Sequence, residues 1–244
     1  MIKQRLDVAL TQRKLTTSRS QSESWIKMGK VTVDGRVIKK PGHFVTSNAD
    51  IKLMADNQYV SRAGLKLESV SKALGLDFKN KVVLDVGSST GGFTDYALRN
   101  GASKVYAIDV GTDQLHPSLR GDKRIELHEK TDIRDFFTDD LPDIVVIDVS
   151  FISLREILPH IWSHLAEAKT QVVAMVKPQF EAGKNQTNKG VLKNDAIRRQ
   201  VLKDFEDWSR DYFTIKNKRD SEVAGAKGNR ERFYLLSLLK NKIT

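Results

Sequence analysis

Lys81–Thr94 reads KVVLDVGSSTGGFT. An apolar run, Val82, Val83 and Leu84, enters Asp85, and the chain then passes through Gly87, Gly91 and Gly92. Glycine lets the backbone approach a ligand closely, and open α/β sheets bind ligands beyond the carboxyl ends of their strands. The stretch therefore reads as a cofactor loop at the end of a buried parallel strand. Its spacing is neither the GxGxxG of dinucleotide sites nor a phosphate loop with Gly-Lys-Ser/Thr. A second apolar strand, Lys104–Val110 (KVYAIDV), carries Asp109. An acid about 20 residues beyond such a loop suits the hydroxyls of a ribose. The bland alternative is a strand–turn–helix with incidental acids.

Outward from this pair the alternation continues. A strand over Ile125–His128 leads to Thr131-Asp132, one over Pro142–Val149 (PDIVVIDV) carries Asp148, and one over Gln171–Val176 ends at Lys177-Pro178. Ser61–Leu74 has helical periodicity, with Leu65, Val70 and Leu74 available for burial. VSFISLREILPHI begins a helix, another spans Ala196–Asp211, and two strands follow around Tyr212–Lys216 and Arg232–Leu239. Residues 179–194 are polar and rich in Gly, Asn and Lys, hence a loop. Helices alternating with near-continuous apolar strands predict an α/β fold: a mostly parallel sheet covered on both faces, with an antiparallel last strand at its end.

The 244 residues accommodate one medium domain and a small one. The net charge of +10 is uneven: residues 1–60 hold 11 Lys/Arg against 5 Asp/Glu. A basic N-terminal module on a nearly balanced body suggests nucleic acid at that end, against the plainer reading of solubility charge. Within it, Leu6, Ala9 and Leu10 mark a first helix, and Ser18 caps a second that runs through Trp25, Ile26 and Met28 to Gly29. Val31 and Val33 alternate into an Asp34-Gly35 hairpin turn, Val37-Ile38 returns, and Ile51–Leu53 closes a small sheet. The expected division is 1–54 as this module, 55–60 as linker and 61–244 as the larger domain. The module's own apolar set implies that the larger domain folds without it. There is no cysteine, which excludes disulfides, thiolate metal sites and a Cys nucleophile. No histidine cluster or carboxylate array suggests a metal. The N-terminus lacks the apolar core of a signal peptide and no apolar run reaches a membrane span, so a cytoplasmic protein is expected.

Lys66, Asp148, Lys177 and Glu231 are the candidate chemical groups. Asp148 and Lys177 fall at the carboxyl ends of expected parallel strands, beside the cofactor crevice. A lysine acts as a base only when its pKa falls from about 10.4 toward roughly 7–8, through burial or a neighbouring cation. Lys66 is that cation in this reading, and Asp148 and Glu231 orient the amines; the alternative is a structural ion pair.

These four match, residue by residue, the Lys-Asp-Lys-Glu tetrad of FtsJ/RrmJ-type ribose 2′-O-methyltransferases, and the chain more closely resembles the TlyA (hemolysin-like) rRNA methyltransferases. SRAGLKL carries Lys66, DVGSSTGGFTD the cofactor loop, IDVSFISL Asp148, VKPQFE Lys177 and GNRERF Glu231. RLDVAL, SRSQSESWIKMGKVTVDGRVI and KKPG resemble the S-four RNA-binding domain, whose helix pair faces RNA phosphates; Arg5, Arg19, Lys27 and Lys30 match its basic positions. The resemblance implies a Rossmann-like class I methyltransferase sheet, S-adenosylmethionine as methyl donor, and 2′-O-methylation of ribosomal RNA on cytidine, with ribosomal RNA or subunits as partner. It places Asp85, Gly87, Ser88, Ser89, Thr90, Gly91, Gly92 and Phe93 at the methionine end of the donor. Asp109 falls on its ribose and Asp132 on its adenine amine. Asp132 is also a plain helix cap in sequence, and Phe93 is equally core. The absence of cysteine argues against pyrimidine C5 methylation, and the lack of an Asn/Asp-Pro-Pro-aromatic stretch argues against exocyclic amines. A membrane-active hemolysin and a non-catalytic ribosome assembly factor are the remaining readings. The first lacks an apparent membrane segment, and an intact tetrad speaks against the second. The loop EAGKNQTNKGVLKN is more polar than the family pattern.

Overall fold

The computed structural model of the chain describes residues 3–16, 19–54, 59–182, 191–192, 194–225 and 228–239. The N-terminal module runs β1 (Lys3–Arg5), α1 (Leu6–Gln12), α2 (Arg19–Lys27), β2 (Val31–Val33), β3 (Arg36–Val37), β4 (Phe44–Thr46) and β5 (Ile51–Leu53). Leu6, Ala9 and Leu10 form the buried face of α1, and Trp25 and Ile26 that of α2. Asp34 and Gly35 both sit at positive φ, 49° and 77°, in the two-residue turn that pairs Val33 with Arg36. Turns of this kind match the twist of the strands they join. β2 lies between β3 and β5. β1 and β4 make a second, two-stranded sheet that three-residue strands without alternation do not announce. The expected cap Ser18, linker residues 55–58 and most of the 179–194 loop lie outside the described residues.

The larger domain carries α3 (Arg62–Leu74), β6 (Val82–Val86), α4 (Gly92–Arg99), β7 (Lys104–Ile108), β8 (Ile125–His128), β9 (Ile144–Ile147) and α5 (Leu154–His160). It continues through β10 (Gln171–Val176), α6 (Pro178–Glu181), α7 (Asp195–Ser209), β11 (Phe213–Asp220) and β12 (Arg232–Leu238). The sheet order is β11-β12-β10-β9-β6-β7-β8. The strands from β10 to β8 are parallel, and β12 runs against both of its neighbours. The reversed strand is thus one place in from the edge, and β11 is outermost. Burial explains the choice: Phe233–Leu236 of β12 are all buried, whereas β11 alternates between covered and exposed residues. Leu84, Val86, Val145 and Ile147 face one apolar layer with Leu154, Ile157, Leu202 and Phe205 from α5 and α7. Val83, Ile144, Val146 and Val173 face the other with Leu67, Val70, Phe93 and Ala97 from α3 and α4. The order reverses between β6 and β9, so a crevice opens beyond their carboxyl ends.

The module does not close its own core. Leu65 of α3 and Val223 are fully buried in the cluster that contains Leu6, Leu10, Trp25 and Ile26, and Lys30 Nζ lies 3.4 Å from Glu68 Oε1. The expectation of a self-contained apolar set is corrected accordingly: two side chains of the larger domain complete it.

Candidate active site

A cavity of about 360 Å³ opens where the strand order reverses, lined by Val86 and Gly87 at the end of β6, Ile108 and Asp109 at the end of β7, and Asp148 and Val149 after β9. A smaller chamber of about 160 Å³ shares Gly87, Ser89, Asp148 and Ser150 with it and adds Asp85, Ser88, Thr90, Phe93 and Lys177. The two therefore adjoin. Gly87 has φ +80°, and a Cβ there would stand 2.9 Å from the Asp148 carbonyl oxygen, so the crossing of the two loops requires glycine. Gly91 and Gly92 line neither cavity. Gly91 caps α4 in the left-handed conformation, where a Cβ would run into Leu115 and Leu119, and a Cβ on Gly92 would run into Ser61, so Gly92 lets α4 pack against α3. Phe93 belongs to the core beneath the loop as well as to the chamber wall.

Asp85 is 1% exposed, and its Oδ2 accepts a 2.6 Å hydrogen bond from Thr94. Its Oδ1 and the Ser88 hydroxyl are buried without a partner among the described residues. Burial is the main cause that pushes the Asp85 carboxyl up to about 7, with the Thr94 hydrogen bond opposing it and the Asp148 charge adding to it. Buried polar groups rarely stay unpaired, so these two atoms fit the ammonium and carboxylate of a bound methionine moiety. Asp109 accepts from the amides of Ser89 at 2.8 Å and Gly111 at 2.7 Å, tying the glycine loop to β7 while facing the larger cavity. Asp132 also faces it, but caps the next turn and is gripped by Arg134, which holds its carboxyl down to about 2.

Lys177 Nζ lies 2.6 Å from Asp148 Oδ1, and Lys66 Nζ lies 2.7 Å from Glu231 Oε2. All four side chains are largely buried. The ladder brings the two pairs together: Val176 faces Arg232 in the β10–β12 pairing, so the next residue on β10, Lys177, comes opposite Glu231. Lys66 sits one turn beyond Ala63, on the helix whose first residues wall the chamber. A Cβ on Gly225 would collide with the Glu231 carboxylate, so that glycine leaves the acid its space.

Several contributors carry no clear sequence signal. Ser150 Oγ accepts a 2.7 Å hydrogen bond from Lys177 Nζ. Arg62 donates to the Ala224 carbonyl and pins the strand-connecting loop to α3. Buried Glu181 accepts from Ser153 Oγ at 2.6 Å and Leu154 N at 2.7 Å, joining α6 to the start of α5. Burial pushes its carboxyl up, against these bonds and the Arg155 charge. Phe151, 92% exposed at φ +67°, lines the larger cavity and meets Phe180 with ring centroids 5.1 Å apart. Such a φ is costly for an aromatic residue and is held by its surroundings.

In the module, Arg5 and Arg19 both donate to Asp7, whose side chain is fully buried. Burial works against that carboxylate, but the two arginine hydrogen bonds outweigh it and hold its pKa at about 2. The guanidiniums remain about half exposed. Lys27 is exposed, and Lys30 turns toward Glu68.

The FtsJ-like methyltransferase family matches residues 59–238, and the S4 domain family matches residues 4–51. Hemolysin A of Brachyspira hyodysenteriae is 38% identical over 93% of this chain and 97% of its own. The 23S rRNA (cytidine-2′-O)-methyltransferase TlyA of Campylobacter jejuni is 44% identical over 72% of this chain and 70% of its own. A solved Streptococcus thermophilus structure that bears a hemolysin name shares 38% identity, with a TM-score of 0.72, over 98% of this chain and 90% of that one. With its reversed strand, its cavity at the switch point and this match over most of its length, the chain belongs to the FtsJ-like methyltransferase family and is an S-adenosylmethionine-dependent enzyme that carries an S4 RNA-binding domain.

Proposed function

We propose that this enzyme methylates the ribose 2′-hydroxyl of ribosomal RNA, with cytidine as the nucleoside, and that Lys66, Asp148, Lys177 and Glu231 are its catalytic groups. The observation that carries the reading is the buried Lys177–Asp148 pair, 2.6 Å apart, on the wall of a chamber that adjoins the cofactor cavity. A hydroxyl is a poor nucleophile until its proton is taken, and general bases must stand within hydrogen-bond reach of that proton. Lys177 in its amine form accepts the 2′-hydroxyl proton as the new O–CH₃ bond replaces the S–CH₃ bond, and Asp148 stabilises the ammonium that results. The bound donor supplies the methyl group and departs as the neutral thioether. Asp85, Ser88, Ser89 and Thr90 hold its methionine end, Gly87 gives it room, and Asp109 and Asp132 take the ribose and adenine. Lys66 and Glu231 border the 2′-hydroxyl from α3 and from the start of β12.

Phe151, exposed beside the larger cavity and tilted 49° against the half-buried Phe180, offers an aromatic face of the kind on which unstacked RNA bases rest. The basic module, with Arg5, Arg19, Lys27 and Lys30, supplies phosphate contacts, and residues 1–54 and 61–244 divide RNA anchoring from chemistry. The name of the Campylobacter relative favours the same substrate. No helix among the described residues is long and apolar enough to cross a membrane. Lys177→Ala is expected to abolish methyl transfer to isolated ribosomal subunits while donor affinity stays within a few-fold of wild type. Titration calorimetry and tritiated-methyl transfer measure the two quantities. Substantial residual turnover removes Lys177 from its role.

A further inference from the structure

We propose that Ser150 is a positioning residue for Lys177: its hydroxyl fixes which way the amine points and so aims the amine lone pair at the 2′-hydroxyl. The inference rests on the assignment of Lys177 as base. Three observations lead to it. Lys177 Nζ donates to Ser150 Oγ at 2.7 Å. The Asp148 carboxylate is as close, at 2.6 Å, and is the charge partner of the same amine, so serine and aspartate oxygens flank Nζ together. Ser150 also lines both the cofactor cavity and the chamber, which places this hydrogen bond beside the space where donor and acceptor must meet.

A neutral amine has two hydrogens and one lone pair. With one hydrogen directed to Ser150 Oγ, rotation about the Cε–Nζ bond is restricted to the two remaining directions. The Asp148 carboxylate repels a lone pair and attracts a hydrogen, so the second hydrogen turns toward it and the lone pair is left for the substrate. Without the serine hydroxyl, the amine keeps Asp148 but loses one of its two fixed directions, and rotation about Cε–Nζ no longer holds the lone pair on the substrate. General-base transfer depends on that alignment, and small misplacements in reacting geometry carry large rate penalties. The loop bearing Ser150 is itself held: the chain rises through the left-handed Phe151 and is fastened by Glu181 at Ser153 and Leu154.

The test compares Ser150→Thr with Ser150→Val, two side chains of nearly equal shape of which only the first has a hydroxyl. Ser150→Ala serves as a third variant. Methyl transfer to ribosomal subunits is followed at saturating RNA and donor, with donor affinity measured by calorimetry and the product digested to locate the methyl group. The expected result is a kcat at least fivefold lower for Val and Ala, a Thr enzyme within about threefold of wild type, and donor affinity within threefold throughout. A Val enzyme that keeps kcat within fivefold of wild type, or a Thr enzyme as impaired as Val, overturns the role of the hydroxyl. Wild-type product bearing its methyl on a base instead overturns the underlying assignment, and is told apart from the first failure by the digest alone.

Discussion

Asp85 pays for its place under the glycine loop with an unfavourable carboxylate. Its pKa, pushed up to about 7 by burial, lies above the value of about 3.9 that an unfolded chain gives an aspartate. The folded state therefore holds the proton more tightly, and Asp85 contributes stability fully below about pH 4 and progressively less as pH rises to about 7. Asp85→Asn cannot ionise, so its melting temperature relative to wild type should rise between pH 5 and pH 8, in thermal melts without donor. A cationic ammonium beside Oδ1 favours the carboxylate, so the same variant is expected to bind the donor at least tenfold more weakly at pH 8. A melting difference independent of pH, with unaltered affinity, contradicts both the assigned protonation and the assigned contact. Asp7 shows the opposite balance: it is equally buried, but two guanidiniums keep it charged. Arg5 and Arg19 therefore serve the module's fold as well as its surface.

The short helix α6 illustrates how a segment outside the chemistry sets its geometry. Glu181, at its end, accepts from the first amide of α5 and from the Ser153 hydroxyl, and Ser153 in turn caps that helix through Arg155 N. Glu181→Ala removes this clasp. Helix-cap losses cost about 0.5–2 kcal/mol, a fall in melting temperature of roughly 1–8 °C for a domain of this size, and kcat should fall with it. Glu181→Gln keeps an acceptor for Leu154 N and is expected to recover most of both. Equal damage from the two variants would show that the charge, not the hydrogen bonds, matters. Legibility follows the same division between local and distant causes. β8 and β10 coincide with the strands expected over Ile125–His128 and Gln171–Val176, the first an Ile/Leu alternation and the second an apolar run, and the cofactor loop is visible because its glycines are needed where they stand. The pairing of β1 with β4 depends on partners some 40 residues apart in short strands without a pattern. The grip of Arg5 and Arg19 on Asp7 and the tie from Glu181 back to Ser153 are likewise properties of the folded chain. The left-handed conformation of Phe151 has no sequence signature, since aromatic residues seldom adopt it.

The S4 module and the transferase share a core, so anchoring and chemistry are mechanically joined. Removing residues 1–54 exposes Leu65 and Val223, and Leu65 adjoins Lys66 on α3. Burial of each such side chain is worth about 1.5–3 kcal/mol, so with two of them exposed the fragment is expected to melt roughly 6–24 °C below the intact chain. Its affinity for ribosomal RNA should also fall, with a shallower dependence on salt, because most of the excess positive charge lies in residues 1–60 and phosphate contacts release counterions. Equal salt slopes in filter binding would show that the module's basic side chains are solvated surface. The central claim, methylation of a ribose by Lys177, is tested most directly by nucleoside mass spectrometry of ribosomal RNA from a strain lacking this gene, complemented with wild type or with Lys177→Ala. The expected result is a 2′-O-methylcytidine present with wild type and absent with the variant and with no gene. Unchanged 2′-O-methylation across all three strains, or a lost methyl that proves to sit on a base, would contradict it.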